Sequence, residues 1–341
     1  MVNKHHLKLL FLFCLFPLYT FSQSEYKLEV IAESKYQWTG ITISKENRIF
    51  VCFPTWDIKS PYKVAEIKNG KTTPYPDIES NNNIFTCIQS VVVDKDNTLW
   101  ILDSANPQFR GVNNGGAKLF RVNLQNNKII KTYTFPNNVA PKDSYLNDLR
   151  IDNERGFIYI TDSQLGGIVV LNILTGKSWR ALDNSIPEVK ANLPYINFRS
   201  TGKWENRVNS DGIELINDGN ILIFTALTGN ILYKIPTKVL RDTSLSMMDR
   251  RKYIIKEYDE NVPTDGLILL NDKILMANLP HESIWEYNLN KRKGRNIVFK
   301  ERIRWADSFT ADKNGNIYFT TSQINYKAEE LEHFKIYKMY K

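Results

Sequence analysis

The sequence predicts an all-β fold, a six-bladed β-propeller in which the N-terminal strand completes the last blade. One observation behind this prediction is a motif that recurs six times: a polar pair, an apolar strand, a tight turn and a second apolar strand. Another is the spacing, because the second residue of the pair falls at positions 40, 90, 148, 211, 265 and 307. Each interval has room for four short strands, and one such unit cannot bury its own apolar face. The copies occupy residues 38–53, 89–104, 147–163, 210–226, 264–278 and 306–322.

Further strand pairs with alternating apolar residues follow several copies of the motif. They occupy residues 117–124 and 128–135, 167–173 and 178–182, and 283–289 and 296–300. Each blade is therefore predicted to hold four antiparallel strands, the first two of them supplied by the motif. The turns Asp218-Gly219 and Asn314-Gly315 suit the first hairpin, because Gly and Asn accept positive φ.

The last copy of the motif is followed by one more strand, residues 334–340, and then the chain stops. A strand-like segment at residues 26–32 precedes the first copy. We expect this segment to supply the missing fourth strand of blade six, which would join the two ends of the ring. No Pro/Gly-rich linker divides the chain, so residues 23–341 are predicted to form one domain.

The first 22 residues have the pattern of a secretory signal peptide. Two lysines precede an apolar run at residues 9–21, and a small residue, Ser22, lies before a polar stretch. The run is shorter than the roughly 20 residues that a membrane-spanning helix needs. We therefore expect cleavage after Ser22, no membrane insertion of the mature chain, and a secreted or periplasmic location.

Charge and cysteine content limit the possible partners. The net charge of the 341-residue chain is +8, and its basic residues cluster only at 291–295, between two strand-like segments. This pattern favours a solvated turn over nucleic-acid binding, and we expect a monomer without a nucleic-acid partner. After signal removal Cys52 and Cys87 remain. They can form one disulfide or stay as two buried thiols, and the sequence leaves both possibilities open.

Polar residues open the first strand and close the second strand of most motif copies. In a propeller these two positions lie at the same mouth of the central channel, so we expect their side chains to meet there. The predicted ligand-binding positions of this kind are Asn147, Asp148, Asp211, Asp265, Asp307, Asp103, Asp162 and Asn278.

This acidic mouth has two interpretations. It can hold a cation, either a metal ion or the amine of a ligand, since several carboxylates at one place repel each other unless something neutralises them. Alternatively, each Asp or Asn caps a strand or turn by binding local backbone N–H groups. The same structural need in every blade would also repeat the residue.

Two long loops are predicted to reach this mouth, residues 104–116 and 183–209. A long loop in a compact domain is often a lid or a binding loop. The second one carries Tyr195, Phe198 and Trp204, which can stack on a planar ligand or pack the loop onto the rim. His281 follows the second strand of the fifth copy and is a further candidate ligand residue, but no Gly-x-Ser-x-Gly motif accompanies it.

The motif copies resemble the yellow/major royal jelly protein family over nearly the whole mature chain. The resemblance rests on WTGITISKENRIFV followed by CFPTW, VVVDKDNTLWILDS, GGAKLFRVNLQNNKIIKTYTFP, GFIYITDSQLGGIVVLN, SDGIEL and TDGLIL. It implies an exported six-bladed propeller with a small-molecule pocket at the channel mouth. Insect members look like binders of aromatic amines or participants in dopachrome conversion, and this short chain looks like a microbial member.

A more distant resemblance is to gluconolactonase/SMP-30-like propellers. Those proteins hold a divalent cation with a Glu from the first blade and Asn and Asp from later blades. Here Asn147 and either Asp211 or Asp265 match the later positions and are the candidate metal ligands; the sequence leaves the cofactor unknown, with Ca²⁺ as the candidate that the resemblance implies. The first blade opens with Trp38-Thr39-Gly40 instead of a Glu, which weakens this alternative. The sequence thus predicts a binding protein, or an isomerase, for a small aromatic or amine-bearing molecule; the alternative is a metal-dependent lactonase or esterase.

Overall fold

A computed structural model of the protein describes residues 25–341. The chain forms six four-stranded antiparallel sheets, and a short hairpin lies between the third and the fourth. This confirms the predicted six-bladed propeller. The predicted signal peptide, residues 1–22, lies outside the described residues.

The strands of each blade follow the chain from the channel outward, apart from the N-terminal strand β1 (Lys27–Ser34). The first three blades are β2 (Ile41–Ile43), β3 (Ile49–Cys52), β4 (Val64–Lys68) and β5 (Lys71–Pro74); β6 (Ile88–Val93), β7 (Thr98–Asp103), β8 (Lys118–Asn123) and β9 (Lys128–Thr134); and β10 (Leu146–Asp152), β11 (Phe157–Asp162), β12 (Ile168–Asn172) and β13 (Ser178–Leu182).

The hairpin consists of β14 (Ile196–Phe198) and β15 (Gly202–Trp204). Blades four to six are β16 (Ser210–Ile216), β17 (Ile221–Ala226), β18 (Leu232–Pro236) and β19 (Ile255–Tyr258); β20 (Leu267–Leu270), β21 (Lys273–Asn278), β22 (Ser283–Asn288) and β23 (Lys293–Ile297); and β24 (Ala306–Ala311), β25 (Ile317–Thr321) and β26 (Phe334–Tyr340), with β1 as the outer strand of blade six.

Helices are few and short in the described chain. Two α-helices lie between β18 and β19, α1 (Thr237–Arg241) and α2 (Met247–Arg251). A π-helical turn and four 3₁₀ turns lie in loops, at Ser80–Ile84, Pro107–Phe109, Pro187–Val189, Leu279–His281 and Ala328–Glu330. No helix in the described part of the chain has the length and apolar composition to cross a membrane.

The two ends of the chain meet in blade six. β1 pairs antiparallel with β26, in a register that runs from Lys27 opposite Tyr340 to Ser34 opposite Phe334. The sheet order is therefore β24, β25, β26 and β1. This confirms that the N-terminal strand completes the last blade, so ordinary strand pairing closes the ring.

The innermost strands form the wall of the channel, and the core lies between the blades. β2, β6, β10, β16, β20 and β24 each contact the next one around the ring, and β24 contacts β2. Six clusters of buried apolar residues fill the six spaces between neighbouring blades. Each blade thus buries both faces against its neighbours, which explains the near-continuous apolar runs in the second strand of each motif.

The structure differs from the sequence prediction in two places. The outer strand of blade five is Lys293–Ile297, earlier than the predicted 296–300, because Ile297 pairs with Ile284 and Gly294 with Tyr287. The basic run at 291–295 is therefore partly a strand. The long loop at 183–209 is not irregular throughout, since it contains the hairpin β14–β15.

Close contact between inner strands explains why glycine follows the polar pair in blade five. The Gly266 N–H donates to the Asp307 carbonyl oxygen of blade six at 2.8 Å. A Cβ atom at Gly266 would lie 2.5 Å from that oxygen, so the blades would have to move apart.

We expect Gly266→Ala to lower the free energy of unfolding by about 3 kcal/mol, because it overpacks the contact between two blades. Gly156→Ala is the control: Gly156 has a φ of 71° but no neighbour within 4 Å, so only about 1 kcal/mol of backbone strain is expected. Urea denaturation of both variants gives the comparison. Equal losses in the two would contradict a steric role for Gly266.

Candidate ligand-binding site at the channel mouth

A cavity of about 640 Å³ occupies one end of the channel. It lies at the face where the first strand of each blade begins, which we call the entry face. All six blades contribute lining residues, and its volume is in the range of small-molecule sites. A smaller cavity of about 340 Å³ lies at the other face, between the first turns of blades two, three and four.

β-Bulges place the polar pairs at the floor of the entry-face cavity. In four blades the pairing of the first two strands shifts register at the pair: between Ile88 and Ser90, Leu146 and Leu149, Ser210 and Ile213, and Ala306 and Phe309. A bulge bends the strand and changes the direction of its side chains. One residue of the pair lines the cavity in these blades and also in blade five: Gln89, Asn147, Asp211, Asp265 and Asp307.

The floor has an acidic half and an amide half. Asp211, Asp265 and Asp307 belong to blades four, five and six, and all three side chains are buried. Gln89 and Asn147 belong to blades two and three. Arg207, at the rim, is the one basic residue among the lining residues of the described chain. No ion pair reaches any of the three acidic side chains within the described residues.

Burial and mutual repulsion raise the pKa values of the three carboxyl groups. Burial raises the pKa of Asp211 well above its usual range, and the charge of Asp307 adds to the effect. Burial likewise raises the pKa values of Asp265 and Asp307, with further increases from Asp211 and Asp265 respectively. Asp211 and Asp265 share a hydrogen bond. The floor therefore resists full ionisation unless a cation enters the cavity.

Trp305 and the hairpin β14–β15 form the wall above the acidic half. The Trp305 indole N–H donates to Asp265 Oδ2 at 2.7 Å. Phe198 stacks on the Trp305 ring with centroids 5.4 Å apart, and Trp204 meets the same ring edge-on at 5.1 Å. Trp204 lines the cavity, whereas Phe198 is buried beneath it in the core between blades five and six. The hairpin thus fixes both the tryptophan and the carboxyl that it binds.

Contacts at its tip hold the hairpin over the rim. The Arg199 N–H donates to the Pro280 carbonyl oxygen at 3.1 Å, and Asn325 donates to Thr201 Oγ1 at 2.8 Å. Ser200 donates to Glu282 at 2.8 Å. The predicted lid loop is therefore fastened to blades five and six. Tyr195 lies outside the cavity lining, where Lys203 covers its ring at 4.5 Å.

A second group of aromatic rings lies on the opposite side of the cavity, above the amide half. Trp56 and Phe109 have ring centroids 5.6 Å apart, and Phe109 stacks on Tyr145 at 4.5 Å. The Trp56 N–H donates to the Tyr145 hydroxyl at 2.8 Å, which donates to Gln89 Oε1 at 2.9 Å. We call these three aromatic residues the aromatic shelf. Burial raises the pKa of Tyr145 well above 10, so it stays protonated.

Arg150 links blades three, four and five beneath the floor. Its guanidinium donates to Asp148 at 2.8 Å, to Glu214 at 3.3 Å and to the Leu267 carbonyl oxygen at 2.6 Å. Burial opposes its charge, but the carboxylates of Asp148 and Glu214 outweigh that effect and raise the pKa of Arg150. Asp148 is thus neutralised below the cavity and is not one of its lining residues. Arg150 instead lines the smaller cavity at the other face.

Several residues predicted for the site lie outside the cavity lining. Asp103 accepts the N–H groups of Thr86, Cys87 and Ala105. Asp162 accepts from the Tyr145 N–H and binds Arg180 at 2.8 Å. These contacts are the local capping that the sequence left open as an alternative.

Asn278 and His281 also lie outside the cavity lining. Asn278 is buried and donates to Asn296 at 3.0 Å. His281 is exposed, and its Nδ1 lies 3.1 Å from Asn278 Oδ1. Partial burial and the nearby Arg199 lower the pKa of His281.

The two cysteines are buried free thiols. Cys52 Sγ donates to the Gln89 carbonyl oxygen at 3.2 Å and lies beside Thr39 and Gly40. Cys87 Sγ lies 3.6 Å from the Tyr145 hydroxyl. Of the two states that the sequence allows, the structure has the unbridged one, with each thiol packed into the wall between blades.

The residues predicted as metal ligands do not fit a resident Ca²⁺ ion. Ca²⁺ takes six to eight oxygen ligands, whereas Asp265 accepts the Trp305 N–H and shares a hydrogen bond with Asp211. Asn147 adds one amide, and the first blade supplies no Glu. In residues 25–341, no three His, Cys, Asp or Glu side chains are grouped as a metal site.

The sequence interpretation missed most of the aromatic lining. Trp305 lies two residues before Asp307, and Trp56 lies in the CFPTW segment, so both are next to features that the sequence does reveal. Phe109 comes from the loop at 104–116. Phe109 and Trp305 have φ values of 57° and 62°. Left-handed backbone at a bulky residue is rare and leaves no trace in composition or periodicity.

Comparison with solved structures shows the fold. A virginiamycin B lyase from Staphylococcus aureus is 16% identical, with coverage of 92% of this chain and 99% of that chain and a TM-score of 0.53. A gluconolactonase from Xanthomonas campestris is 12% identical, with coverage of 92% and 89% and a TM-score of 0.58. An aldose sugar dehydrogenase from Escherichia coli is 12% identical, with coverage of 92% and 99% and a TM-score of 0.56. A search of curated proteins finds no match.

Sequence comparison identifies the family. A family model described as "Major royal jelly protein" matches residues 86–260, which are just over half of the 341-residue chain. The matched segment contains blades two, three and four, with the amide half of the floor and Asp211. The motif copies, the six-bladed ring and this match agree, and the chain belongs to the major royal jelly protein family.

Proposed function

We propose that this protein is an exported, monomeric binding protein for a small, positively charged aromatic molecule, which it holds in the entry-face cavity. The observation that carries the proposal is the acidic half of the floor. Asp211, Asp265 and Asp307 are buried together, and within the described residues no basic side chain pairs with them. A ligand ammonium group would supply the missing positive charge.

The walls favour an aromatic amine over an inorganic cation. Trp204 and Trp305 lie above the carboxyl groups, where an indole face attracts an ammonium group and stacks on a planar ring. The carboxyl oxygens are already engaged by the Trp305 N–H and by each other, which suits one or two hydrogen bonds from an amine better than a complete coordination shell.

Binding can be tested by thermal shift with tryptamine and phenethylamine. At a ligand concentration 100 times the Kd, binding adds about 2.7 kcal/mol to the free energy of unfolding, which raises the Tm by several degrees. The neutral analogues indole-3-ethanol and 2-phenylethanol control for the charge and are expected to bind at least about tenfold more weakly. Asp211→Asn should remove most of this preference.

The matched control is Asp143→Asn, which removes an exposed carboxylate outside the cavity lining and should leave both affinities unchanged. Equal shifts with amines and alcohols would contradict the proposal. So would stabilisation by Ca²⁺ together with no shift from any amine, because that pattern belongs to the metal-dependent alternative.

The raised pKa values predict that the stability of the wild type falls with pH relative to that of an Asp307→Asn variant. The pKa of Asp307 is raised in the folded state and is about 3.9 in the unfolded chain. Its contribution to stability is therefore fully present below about pH 3.9 and is lost as the pH rises through the folded-state pKa.

Asn does not titrate, so the stability of Asp307→Asn relative to wild type should increase between pH 4.5 and pH 7.5. The increase is about 1.4 kcal/mol for each pH unit over which the carboxyl is protonated in the folded protein and ionised in the unfolded chain. Urea denaturation at both pH values measures the difference. Saturating tryptamine should reduce it, since the ammonium favours the ionised carboxyl groups. A difference that is independent of pH would count against a strained acidic floor.

A further inference from the structure

The cavity is larger than one small aromatic amine requires. At roughly 30 Å³ per non-hydrogen atom, the share of a water molecule in the liquid, an amine of about ten such atoms fills roughly 300 Å³. The cavity of about 640 Å³ is about twice that size. An amine placed on the acidic half would leave the amide half and its wall uncovered.

The uncovered wall is the aromatic shelf of Trp56, Phe109 and Tyr145. These residues come from blade one, blade two and the start of blade three, whereas the three carboxyl groups belong to blades four to six. In a six-membered ring these are opposite halves of the mouth. The cavity therefore has an aromatic wall on each side, and its three buried carboxyl groups lie on one side only; the exposed Asp57, next to Trp56, also lines the cavity on the shelf side.

The shelf offers ring faces and no free polar group to a ligand. The Trp56 N–H is bound to Tyr145, and the Tyr145 hydroxyl is bound to Gln89 Oε1. Tyr145 is buried, whereas Phe109 keeps 48% of its surface exposed. A large apolar ring left open at the wall of a cavity is suited to stacking on a flat, uncharged group.

The backbone around Phe109 is held in a costly conformation that presents this ring. Gln108 and Phe109 have φ values of 55° and 57°, which are uncommon for residues with side chains. Asn106 fixes the loop, because its side chain donates to the Ser144 carbonyl oxygen at 2.8 Å and accepts the Gly111 N–H at 2.7 Å. Strain of this kind persists only where the surroundings enforce it, and it is concentrated at binding sites.

We propose that the aromatic shelf is a second subsite, which takes an uncharged planar ring of the same ligand whose ammonium group lies on the acidic half of the floor. The ligand class is thus a secondary amine with an aromatic group on each side. This inference rests on the proposed amine-binding function and adds the second ring to it.

Calorimetry with a series of ligands tests the subsite. The probes are tryptamine and its N-benzyl, N-(2-phenylethyl) and N-(3-phenylpropyl) derivatives, which keep the single positive charge and vary the reach of the second ring. At least one derivative should bind about tenfold more tightly than tryptamine, given the stacking and the apolar surface it buries. Phe109→Ala should abolish this gain, measured as the ratio of the Kd of tryptamine to the Kd of the derivative in the same variant.

Two controls separate the subsite from general effects. Ile130→Ala removes an exposed apolar side chain from the outer strand β9 and should preserve the gain. Phe109→Leu keeps most of the apolar volume without the ring and should lose most of the gain. A derivative series that binds no more tightly than tryptamine, or a gain that survives in Phe109→Ala, would overturn the proposal.

Failure of the proposed function gives a different result. If neither tryptamine nor its derivatives bind, the amine-binding function is wrong, and the shelf is then tested with neutral benzyl alcohol by saturation-transfer NMR. A signal that disappears in Phe109→Ala supports a ring-binding shelf without an amine. A signal that is unchanged in the variant, or no signal at all, rejects the subsite.

Discussion

Closure of the ring through the pairing of β1 with β26 is the constraint on which the rest of the structure depends. Each blade buries its faces against two neighbours, and an open ring would leave one face of blade one and one face of blade six without a partner. The closed ring also brings the polar pairs to one place. β-Bulges turn one residue of the pair toward the channel at Asp211 and Asp307, and with Asp265 of blade five these carboxyl groups from consecutive blades share one buried floor.

The electrostatics of the cavity follow from that geometry. Arg150 sits too deep to neutralise the floor, since Asp148, Glu214 and a backbone carbonyl engage its guanidinium below the cavity. The side chains of Asp211, Asp265 and Asp307 have hydrogen-bond partners and lie close to one another, and burial raises their pKa values. A bound ammonium group would relieve this repulsion. The strained residues Phe109 and Trp305 add one aromatic surface on each side of the floor.

The sequence predicts the fold well because the fold is a repetition. Six copies of one strand–turn–strand motif, glycine or asparagine at its turns and a spare N-terminal strand determine the number of blades and the closure. The same repetition cannot distinguish a polar residue that faces the channel from one that caps a strand: Asp211 lines the cavity, whereas Asp103 and Asp162 hold backbone N–H groups. Asp211 lies at a bulge at the start of a first strand, whereas Asp103 and Asp162 end second strands. The aromatic shelf was beyond prediction, since it joins three loops from three blades.

Proton release on ligand binding tests most directly whether a cation neutralises the buried carboxyl groups. Calorimetric titration with tryptamine at pH 6, in buffers of different ionisation enthalpy, gives the number of protons exchanged. We expect release of a substantial fraction of a proton with tryptamine and none with indole-3-ethanol, because only the ammonium group lowers the raised pKa values of Asp211, Asp265 and Asp307. Tryptamine binding without proton release would contradict the claim that a bound cation neutralises the buried carboxyl groups.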